Sequence, residues 1–334
     1  MIEIDKNKYF ILFACCKPVR GAARSIICDL QRNSFIYITN DVFDMVSNSF
    51  SLLRVPDKNR KKNIIEVINY LIENEFGFIT SEPENFPNIN FSLNDYPEII
   101  KNSIIDFDRN SNHNLLSVVD QLSELRCSAV ELRFFDIISK DLFIKYLMCF
   151  EKSTIRTLDI ILQFSNWTTL ENIDKIFVLH KRLSKVIVCN SQEIRLSNPS
   201  MQSLIYFSTN KIDSALCCGN ILPYYFQSNI EFFKEALTSN PCLDKKICVD
   251  SRGYLKNCPA MEKTYGHIND TKLKKCIENY RFKKLWNIKK DNIEVCKDCE
   301  FRYICPDCRA FTQSNNYFSK PKKCNYDPYT NSWS

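Results

Sequence analysis

The sequence predicts an α/β protein with a small N-terminal module, a middle part of strand–helix repeats and a cysteine-rich C-terminal part. Three observations indicate this fold. Short β-branched and aromatic runs precede two helical stretches within residues 1–80. Strand and helix patterns then alternate at about 26 residues per repeat, which is typical of parallel βα units. Finally, eight cysteines after residue 241 follow the spacing of metal ligands.

The N-terminal module, residues 1–80, combines strand and helix patterns. Predicted strands lie at Tyr9–Ala14, Ser25–Leu30, Phe35–Ile38 and Phe78-Ile79, and predicted helices follow Asn40-Asp41 and cover Lys62–Asn74. The segment KPVRGAAR between the first two strands is typical of a turn. A sheet and helices of this size predict a winged-helix-like module, in which we expect residues 25–30 to form an open edge. It contains no acid–base pair, which favours binding over catalysis, and Cys15 and Cys16 have no assigned role.

Residues 81–98 contain three prolines and four asparagines and are predicted to be a linker. The middle part, residues 99–235, alternates between two patterns. Predicted strands are Ser103–Phe107, Ala129–Phe134, Thr157–Gln163, Lys185–Cys189 and Leu204–Phe207, and predicted helices are Leu115–Arg126, Lys140–Phe150 and Thr169–Arg182. Ligands of such sheets bind at the carboxyl ends of the strands. The loops there place Asp108, Asp136 and Glu193 where they could contact a ligand.

The C-terminal part, residues 236–334, holds two sets of cysteines. The first reads Cys242-x5-Cys248-x9-Cys258, and the second reads Cys296-x2-Cys299-x5-Cys305-x2-Cys308, with Cys324 after it. Thiolates two residues apart on a tight turn bind one soft metal centre, and a cysteine five residues later adds a third ligand. The spacing therefore predicts metal binding rather than buried, inert cysteines.

The identity of the metal stays open at this point. Only three histidines occur in 334 residues, so the ligands are thiolates, which suit tetrahedral zinc or an iron–sulfur cube. A disulfide framework is typical of short secreted chains, and the N-terminal stretch MIEIDKNKYF has no apolar signal region. No segment has the apolar length of a membrane span. We therefore expect a cytoplasmic protein with reduced or metal-bound thiols.

Composition excludes other classes of function. The chain has five glycines and neither Gly-x-Gly-x-x-Gly nor a P-loop, so a glycine-rich nucleotide cradle is excluded. The formal net charge of +6 is mild and dispersed, and we expect neither a nucleic-acid nor a membrane partner.

The stretch CLDKKICVDSRGYLKNCPAMEKTYGHIND, followed by CKDCEFRYICPDC, resembles the SPASM domain of peptide-modifying radical SAM enzymes. This resemblance implies two auxiliary 4Fe–4S clusters. The implied ligands are Cys242, Cys248, Cys258 and Cys308 for one cluster, and Cys296, Cys299, Cys305 and Cys324 for the other. The strand–helix repeats also resemble the partial (β/α) barrel that precedes SPASM domains. Cys217 and Cys218 lie between these two parts and are not assigned.

The chain also departs from that family. Radical SAM enzymes carry Cys-x3-Cys-x2-Cys after the first barrel strand, whereas the loop Asp108–His113 contains no cysteine. Where the family has a Gly-Gly-Glu element after the second strand, this chain reads Phe135-Asp136-Ile137. Without three thiolates to hold the catalytic cube, we expect no SAM binding and no radical cleavage of SAM.

This combination resembles the SPASM-domain peptide maturases of grasp-with-spasm ribosomal-peptide systems. The resemblance implies binding of the leader region of a precursor peptide by an exposed strand edge, in partnership with an ATP-grasp ligase. Whether the chain itself is an enzyme stays open. Three functions compete: a non-radical maturation partner, an active iron–sulfur redox enzyme that modifies a peptide, and a zinc-stabilised scaffold.

Overall fold

The structure is a computed structural model that describes residues 8–47, 58–91, 97–199, 203–314 and 316–334, with side chains of the second range described from residue 64. The strands are Tyr9–Leu12 (β1), Cys16–Arg20 (β2), Ser25–Asp29 (β3), Ser34–Ile38 (β4), Gly77–Thr80 (β5), Asn102–Phe107 (β6), Ala129–Phe134 (β7), Thr157–Gln163 (β8), Leu183–Cys189 (β9), Arg195–Ser197 (β10), Leu204–Phe207 (β11), Lys246–Val249 (β12), Leu255–Lys256 (β13), Tyr326–Asp327 (β14) and Ser332–Trp333 (β15). The α-helices are Asn40–Ser47 (α1), Lys58–Glu73 (α2), Leu115–Glu124 (α3), Lys140–Met148 (α4), Leu170–Leu179 (α5), Ile230–Thr238 (α6), Leu273–Glu278 (α7) and Tyr280–Lys283 (α8).

The described residues form two compact units, and each is built from separate parts of the chain. Unit 1 comprises those within Met1–Asn94, Ile221–Pro241 and Ile288–Ser334. Unit 2 comprises those within Asp95–Asn220 and Cys242–Asn287. This grouping differs from the sequence-based division into residues 1–80, 81–98, 99–235 and 236–334. Each unit contains residues from before and after residue 235.

Unit 2 is built on an eight-stranded, mostly parallel sheet with the strand order β10-β11-β9-β8-β7-β6-β12-β13. The predicted parallel sheet is therefore confirmed, and it is compatible with a partial barrel. Strand β12, from the cysteine-rich part of the sequence, pairs in parallel with β6. The same sheet thus carries both Cys248 and the loop Asp108–His113.

Local capping explains where the helices of unit 2 begin. Asn114, Ser139 and Thr169 precede α3, α4 and α5, and each side chain accepts a hydrogen bond from a first-turn amide, at 3.2, 3.3 and 3.3 Å. These bonds satisfy amides that have no partner within the helix. Each helix therefore begins a few residues after a strand, and the loops between them lie at the carboxyl ends of the strands.

Unit 1 contains a three-stranded antiparallel sheet with the order β2-β3-β4. One set of buried side chains, including Ile27 and Phe10, packs with Leu71 of α2. A second set packs with the C-terminal part of the chain: Val19 and Ile26 lie in one apolar cluster with Phe301, Ile304 and Tyr326. The N-terminal sheet and the last residues of the chain therefore share one core.

Two expectations for this sheet are wrong. Residues Lys17–Arg20, predicted as part of the turn KPVRGAAR, belong to strand β2, because Val19 is apolar and buried. Residues 25–30 do not form an edge, since β3 pairs with β2 on one side and with β4 on the other. All five residues of β3 are buried, as expected for a central strand. The edges of this sheet are β2 and β4.

Among the described helices, none combines the length and the apolar character needed to cross a membrane.

Candidate metal centres

Four cysteines of unit 1 lie together near the end of the chain: Cys296, Cys299, Cys305 and Cys324. Three of them, Cys299, Cys305 and Cys324, belong to the apolar cluster around Phe301. Cys296 begins a 3₁₀ turn, and the amide of Cys299 donates to its carbonyl at 3.0 Å. Burial raises the pKa of the Cys305 thiol to about 12, and the charges of Cys324 and Cys296 act in the same direction. The structure therefore brings together the whole second set, which we call the unit 1 thiols.

A buried lysine lies beside these thiols. The Nζ atom of Lys290, a residue only 2% exposed, lies 3.5 Å from the Cys305 Sγ atom and 3.2 Å from the Pro306 carbonyl oxygen. Burial lowers the pKa of this ammonium. The negative charges of Cys305, Cys296 and Asp307 raise it by more, so the net shift is upward. Lys290 is therefore charged, and it favours negative charge on the neighbouring sulfur atoms.

The ammonium belongs to a buried ionic network. Asp307 lies 3.5 Å from Lys290, and its other oxygen lies 2.7 Å from Nε of Arg309. Arg309 also donates to the carbonyls of Tyr317 and Ser319, at 2.6 and 2.8 Å. These bonds tie Asp307 and Arg309 to the backbone at Tyr317 and Ser319.

Unit 2 contains a second group of thiols. Cys248 lies on β12 with its Sγ atom 3.3 Å from the Asn257 carbonyl oxygen, and its thiol is fully buried. Burial raises the pKa of Cys258 well above its ordinary value, and the charges of Cys248, Cys242 and Cys218 add to this. The first three cysteines of the first predicted set thus lie within electrostatic range of Lys246, and so does Cys218, which the sequence left unassigned. We call these four residues the unit 2 thiols.

A lysine also lies within the unit 2 thiols. Nζ of Lys246 is 4.0 Å from the Cys242 Sγ atom. Burial lowers the pKa of this ammonium, but the thiol charges outweigh this, so that its pKa is raised. In each unit, therefore, a lysine ammonium lies beside the thiols: Lys246 in unit 2, and Lys290, on which Cys305 and Cys296 act, in unit 1.

Gly253 shapes the loop that separates Cys248 from Cys258. Its φ of +85° lies in the left-handed region, and a Cβ atom there would lie 2.6 Å from Nε2 of His267. Its amide donates to the Asp250 carbonyl at 2.8 Å. This turn therefore requires glycine, for both conformation and space.

The spacing of the sulfur atoms bears on the metal. Tetrahedral zinc with Zn–S bonds of about 2.3 Å requires sulfur atoms about 3.8 Å apart. Among the described residues, one group of three or more metal-ligating side chains has all donor atoms within 4.8 Å of one another, and it contains neither the unit 1 nor the unit 2 thiols. No three thiols within either group are that close. Among the described residues, neither thiol group therefore has three donor atoms at the mutual separation of a tetrahedral zinc site.

Cys308 is the remaining residue of the predicted sets. It is buried and lies in unit 1, whereas Cys242, Cys248 and Cys258 lie in unit 2. Its assignment as their fourth ligand stays a prediction of the resemblance. Cys218 belongs to neither of the two spacing patterns, so the sequence carries no signal for its place beside these thiols.

The group of three close ligands is Cys15, Cys16 and Asp29, at the end of the β2–β3 hairpin opposite its connecting turn. The oxygens of Asp29 already accept from the amides of Gln31 and Arg32 at 3.0 Å and from the Arg32 side chain at 2.5 Å. These bonds define the turn after β3. We therefore assign Asp29 to turn formation rather than to a metal.

Unit 2 also contains a polar cavity of about 770 Å³ at the carboxyl ends of the parallel strands. Asp108, Asp136 and Asp250, which follow β6, β7 and β12, line it. Glu193, the third acidic residue predicted to contact a ligand, is exposed and does not line it. The polar cavity therefore lies at the carboxyl ends of the strands, where a ligand was predicted to bind. Two of the three carboxylates predicted there, Asp108 and Asp136, line it.

A buried ion pair supports the wall of this cavity. Asp106 accepts two hydrogen bonds from Arg133, at 2.7 and 2.8 Å. Burial raises the pKa of Asp106 to about 6, although Arg133 acts against this rise. At neutral pH the pair is therefore ionised.

His113, in the loop after β6, has an unusual environment. It is 6% exposed and stacks on Phe107 with ring centroids 4.6 Å apart, and neither ring nitrogen has a hydrogen-bond partner among the described residues. Burial lowers its pKa to about 4. His113 is therefore neutral near pH 7.

No family model matches the chain, and no curated protein matches it. Among solved structures, the crystal structure of Streptococcus suis SuiB bound to S-adenosylmethionine is similar to this chain. The identity is 12% and the TM-score 0.38, over 96% of this chain and 99% of that chain. The S-adenosylmethionine belongs to that protein. In the present chain, neither the loop Asp108–His113 nor the described lining of the polar cavity contains a cysteine.

Proposed function

We propose that this chain is an iron–sulfur maturation factor for a ribosomally synthesised peptide. It binds the leader region of the precursor and acts with an ATP-grasp ligase, without cleaving SAM. The observation that carries the proposal is the pair of thiol groups, each with a lysine ammonium beside it. When bound, 4Fe–4S clusters supply one-electron transfer. The chain itself supplies thiolates, a compensating positive charge and a folded scaffold.

Metal content tests the first part of the proposal. After anaerobic purification, two 4Fe–4S clusters give about eight irons per chain and a brown protein. Replacing Cys299 with alanine removes one ligand and lowers the iron content, because binding of the centre is linked to folding of its loop. Cys28→Ala is the matched control, since Cys28 is buried in the same unit but lies outside the unit 1 thiols. A colourless protein that contains zinc would refute the iron–sulfur assignment.

Strand β4 is the edge best suited to bind the leader. A peptide that extends a sheet needs free amides and carbonyls along the edge. On the other edge strand, β2, the amide of Cys16 already donates to Phe13 at 2.8 Å, and Pro18 has no amide hydrogen. On β4, the Ser34 carbonyl accepts from the Ser228 hydroxyl at 2.9 Å, but every residue has an amide hydrogen and Tyr37 is 53% exposed. This favours binding of the leader along Ser34–Ile38.

The full-length protein tests this edge. We expect it to bind the leader of its genomic precursor with a Kd of roughly 1 μM, about 8 kcal/mol. Tyr37→Pro deletes an amide of β4 and weakens binding, whereas Tyr37→Ala keeps the amide and serves as control. Circular dichroism checks that both variants fold. Equal affinity of the wild type and a folded Tyr37→Pro variant would place leader recognition elsewhere.

The polar cavity favours a second candidate function, an iron–sulfur redox enzyme that modifies the peptide. Pro259, directly after Cys258, lines the cavity, so a ligand in it would lie near the unit 2 thiols. Co-expression of the precursor with this protein alone, followed by mass spectrometry, distinguishes the two functions. A mass change without the ligase supports the enzyme, whereas a change that requires the ligase supports the maturation factor.

A further inference from the structure

Two adjacent thiols of unit 1, those of Cys15 and Cys16, lie outside the candidate metal centres. Their Sγ atoms and a carboxylate oxygen of Asp29 all lie within 4.8 Å of one another. A tight turn brings Cys15 to this position, since the Cys16 amide donates to the Phe13 carbonyl at 2.8 Å. The Leu30 amide donates to the Cys15 carbonyl at 3.0 Å and ties this turn to the residue after β3. The backbone therefore holds the two sulfur atoms close together.

The two thiols differ in exposure. Cys16 is the first residue of β2, is 2% exposed and packs in the same apolar cluster as Leu71. Cys15 is half-buried, and its Sγ atom donates to Oε1 of Gln31 at 3.7 Å. Burial, and after it the nearby Cys15 and Asp29, raises the pKa of the Cys16 thiol well above its ordinary value. A small oxidant from the solvent therefore meets Cys15 first, and Cys16 is a protonated thiol directly behind it.

The chemistry open to this pair is that of two neighbouring thiols. Asp29 already accepts hydrogen bonds from two backbone amides and from the Arg32 side chain, so its oxygens are engaged in the turn. A thiol that reacts with a peroxide becomes a sulfenic acid, which condenses with a neighbouring thiol to a disulfide. We propose that Cys15 and Cys16 form a peroxide-reactive site that closes to a disulfide between adjacent residues. This reaction is separate from peptide maturation and does not depend on it.

The reaction balances in two steps. Hydrogen peroxide transfers one oxygen atom to the Cys15 sulfur as its O–O bond breaks, and one water molecule leaves. The Cys16 sulfur then displaces the hydroxyl group of the Cys15 sulfenic acid, which leaves with the Cys16 proton as a second water. The two thiols lose two electrons, and the peroxide gains them. Adjacent Cα atoms lie about 3.8 Å apart, closer than the usual minimum of about 4.4 Å for a disulfide, so this bond is strained and easily reduced.

Peptide mass spectrometry of the full-length protein tests the site. Trypsin does not cleave between Lys17 and Pro18, so it releases residues Tyr9–Arg20, in which Cys15 and Cys16 are the only cysteines. After treatment with hydrogen peroxide and then alkylation in denaturant, this peptide is expected to carry no alkyl group and to lack two hydrogen atoms. Glutathione added before the alkylation is expected to restore both thiols, which then become alkylated.

Cys28 is the internal control. It is buried in the same unit, and trypsin releases it as the only cysteine of residues Ser25–Arg32. We expect it to stay alkylated after the same treatment. In a Cys15→Ser variant, Cys16 is also expected to stay alkylated, because the sulfur that reacts first is missing and Cys16 is buried.

Four results would overturn the inference. In the first, both cysteines of residues Tyr9–Arg20 stay alkylated after peroxide treatment. In the second, they gain oxygen atoms or become linked to another peptide instead of to each other. In the third, Cys28 is oxidised to the same extent, so that the site has no selectivity. In the fourth, Cys16 is oxidised equally in the Cys15→Ser variant, so that Cys15 is not the sulfur that reacts first.

Discussion

The buried pair of Asp106 and Arg133 allows a quantitative prediction. The two side chains are 2% and 5% exposed and make two parallel hydrogen bonds. Asp106→Ala removes the carboxylate and leaves a guanidinium inside unit 2, which typically costs about 3–5 kcal/mol. Glu131, 3.8 Å from Nε of Arg133 and partly exposed, compensates in part. We therefore expect a loss of about 3 kcal/mol.

Urea unfolding followed by circular dichroism measures this loss. With an m value of roughly 3 kcal/mol/M, the midpoint falls by about 1 M. The double substitution Asp106→Leu with Arg133→Met removes both charges, and we expect it to be about as stable as the wild type. The exposed pair of Glu171 and Lys175, 2.6 Å apart, is the control, and Lys175→Ala should not move the midpoint.

Two results would refute this reasoning. One is an Asp106→Ala midpoint that equals that of the wild type, which would mean that Arg133 reaches water without cost. The other is a double variant as unstable as Asp106→Ala, which would mean that packing rather than charge dominates.

Three further predictions concern single side chains. The pKa of His113, about 4 in the folded state, lies below its ordinary value of about 6.5. The unfolded state therefore binds the proton first, and the contribution of His113 to stability falls by about 2 kcal/mol from pH 7 to pH 5. His113→Phe keeps the stack on Phe107 and should remove this loss in urea unfolding at both pH values. Lys290→Met removes a charge 3.5 Å from the Cys305 sulfur, so the potential of the unit 1 centre should fall by on the order of 100 mV in a redox titration. Gly253→Ala places a Cβ atom 2.6 Å from His267 and should lower the iron content of unit 2, measured per chain.

Each of these has a contradicting result. A His113→Phe variant with the pH dependence of the wild type would show that another group titrates. An unchanged potential in Lys290→Met would mean that the ammonium does not act on the centre. Full iron loading in Gly253→Ala would mean that the loop adjusts to the new methyl group.

Much of the parallel sheet follows from local sequence. Ala129–Phe134, Thr157–Gln163 and Leu204–Phe207 are predicted with the bounds that the structure shows, because buried parallel strands are continuous apolar runs between polar loops. Strand β12 was not predicted as part of this sheet. Its four residues pair with β6, which lies more than a hundred positions earlier in the chain, and no local pattern encodes such a pairing.

The candidate centres likewise combine residues that a local sequence pattern identifies with residues that it does not. Regular spacing identifies the unit 1 thiols, because Cys296, Cys299 and Cys305 lie on one short stretch whose turns bring them together. Cys218 is 24 positions before Cys242 and belongs to no spacing motif. No sequence pattern identifies Lys246 and Lys290 as neighbours of these thiols either, because a charged residue close to a cysteine is usually exposed.

The core that the N-terminal sheet shares with the C-terminal residues also has a consequence for synthesis of the protein. Ile26 and Leu30 leave the ribosome about 270 residues before Phe301 and Ile304, their partners in the core. At about 5–20 residues per second, this separation amounts to roughly 15–55 s. During that time one apolar face of the sheet is exposed on the nascent chain. Unit 1 therefore completes this core only after residues 301–326 have been synthesised, and the four unit 1 thiols come together at the same stage.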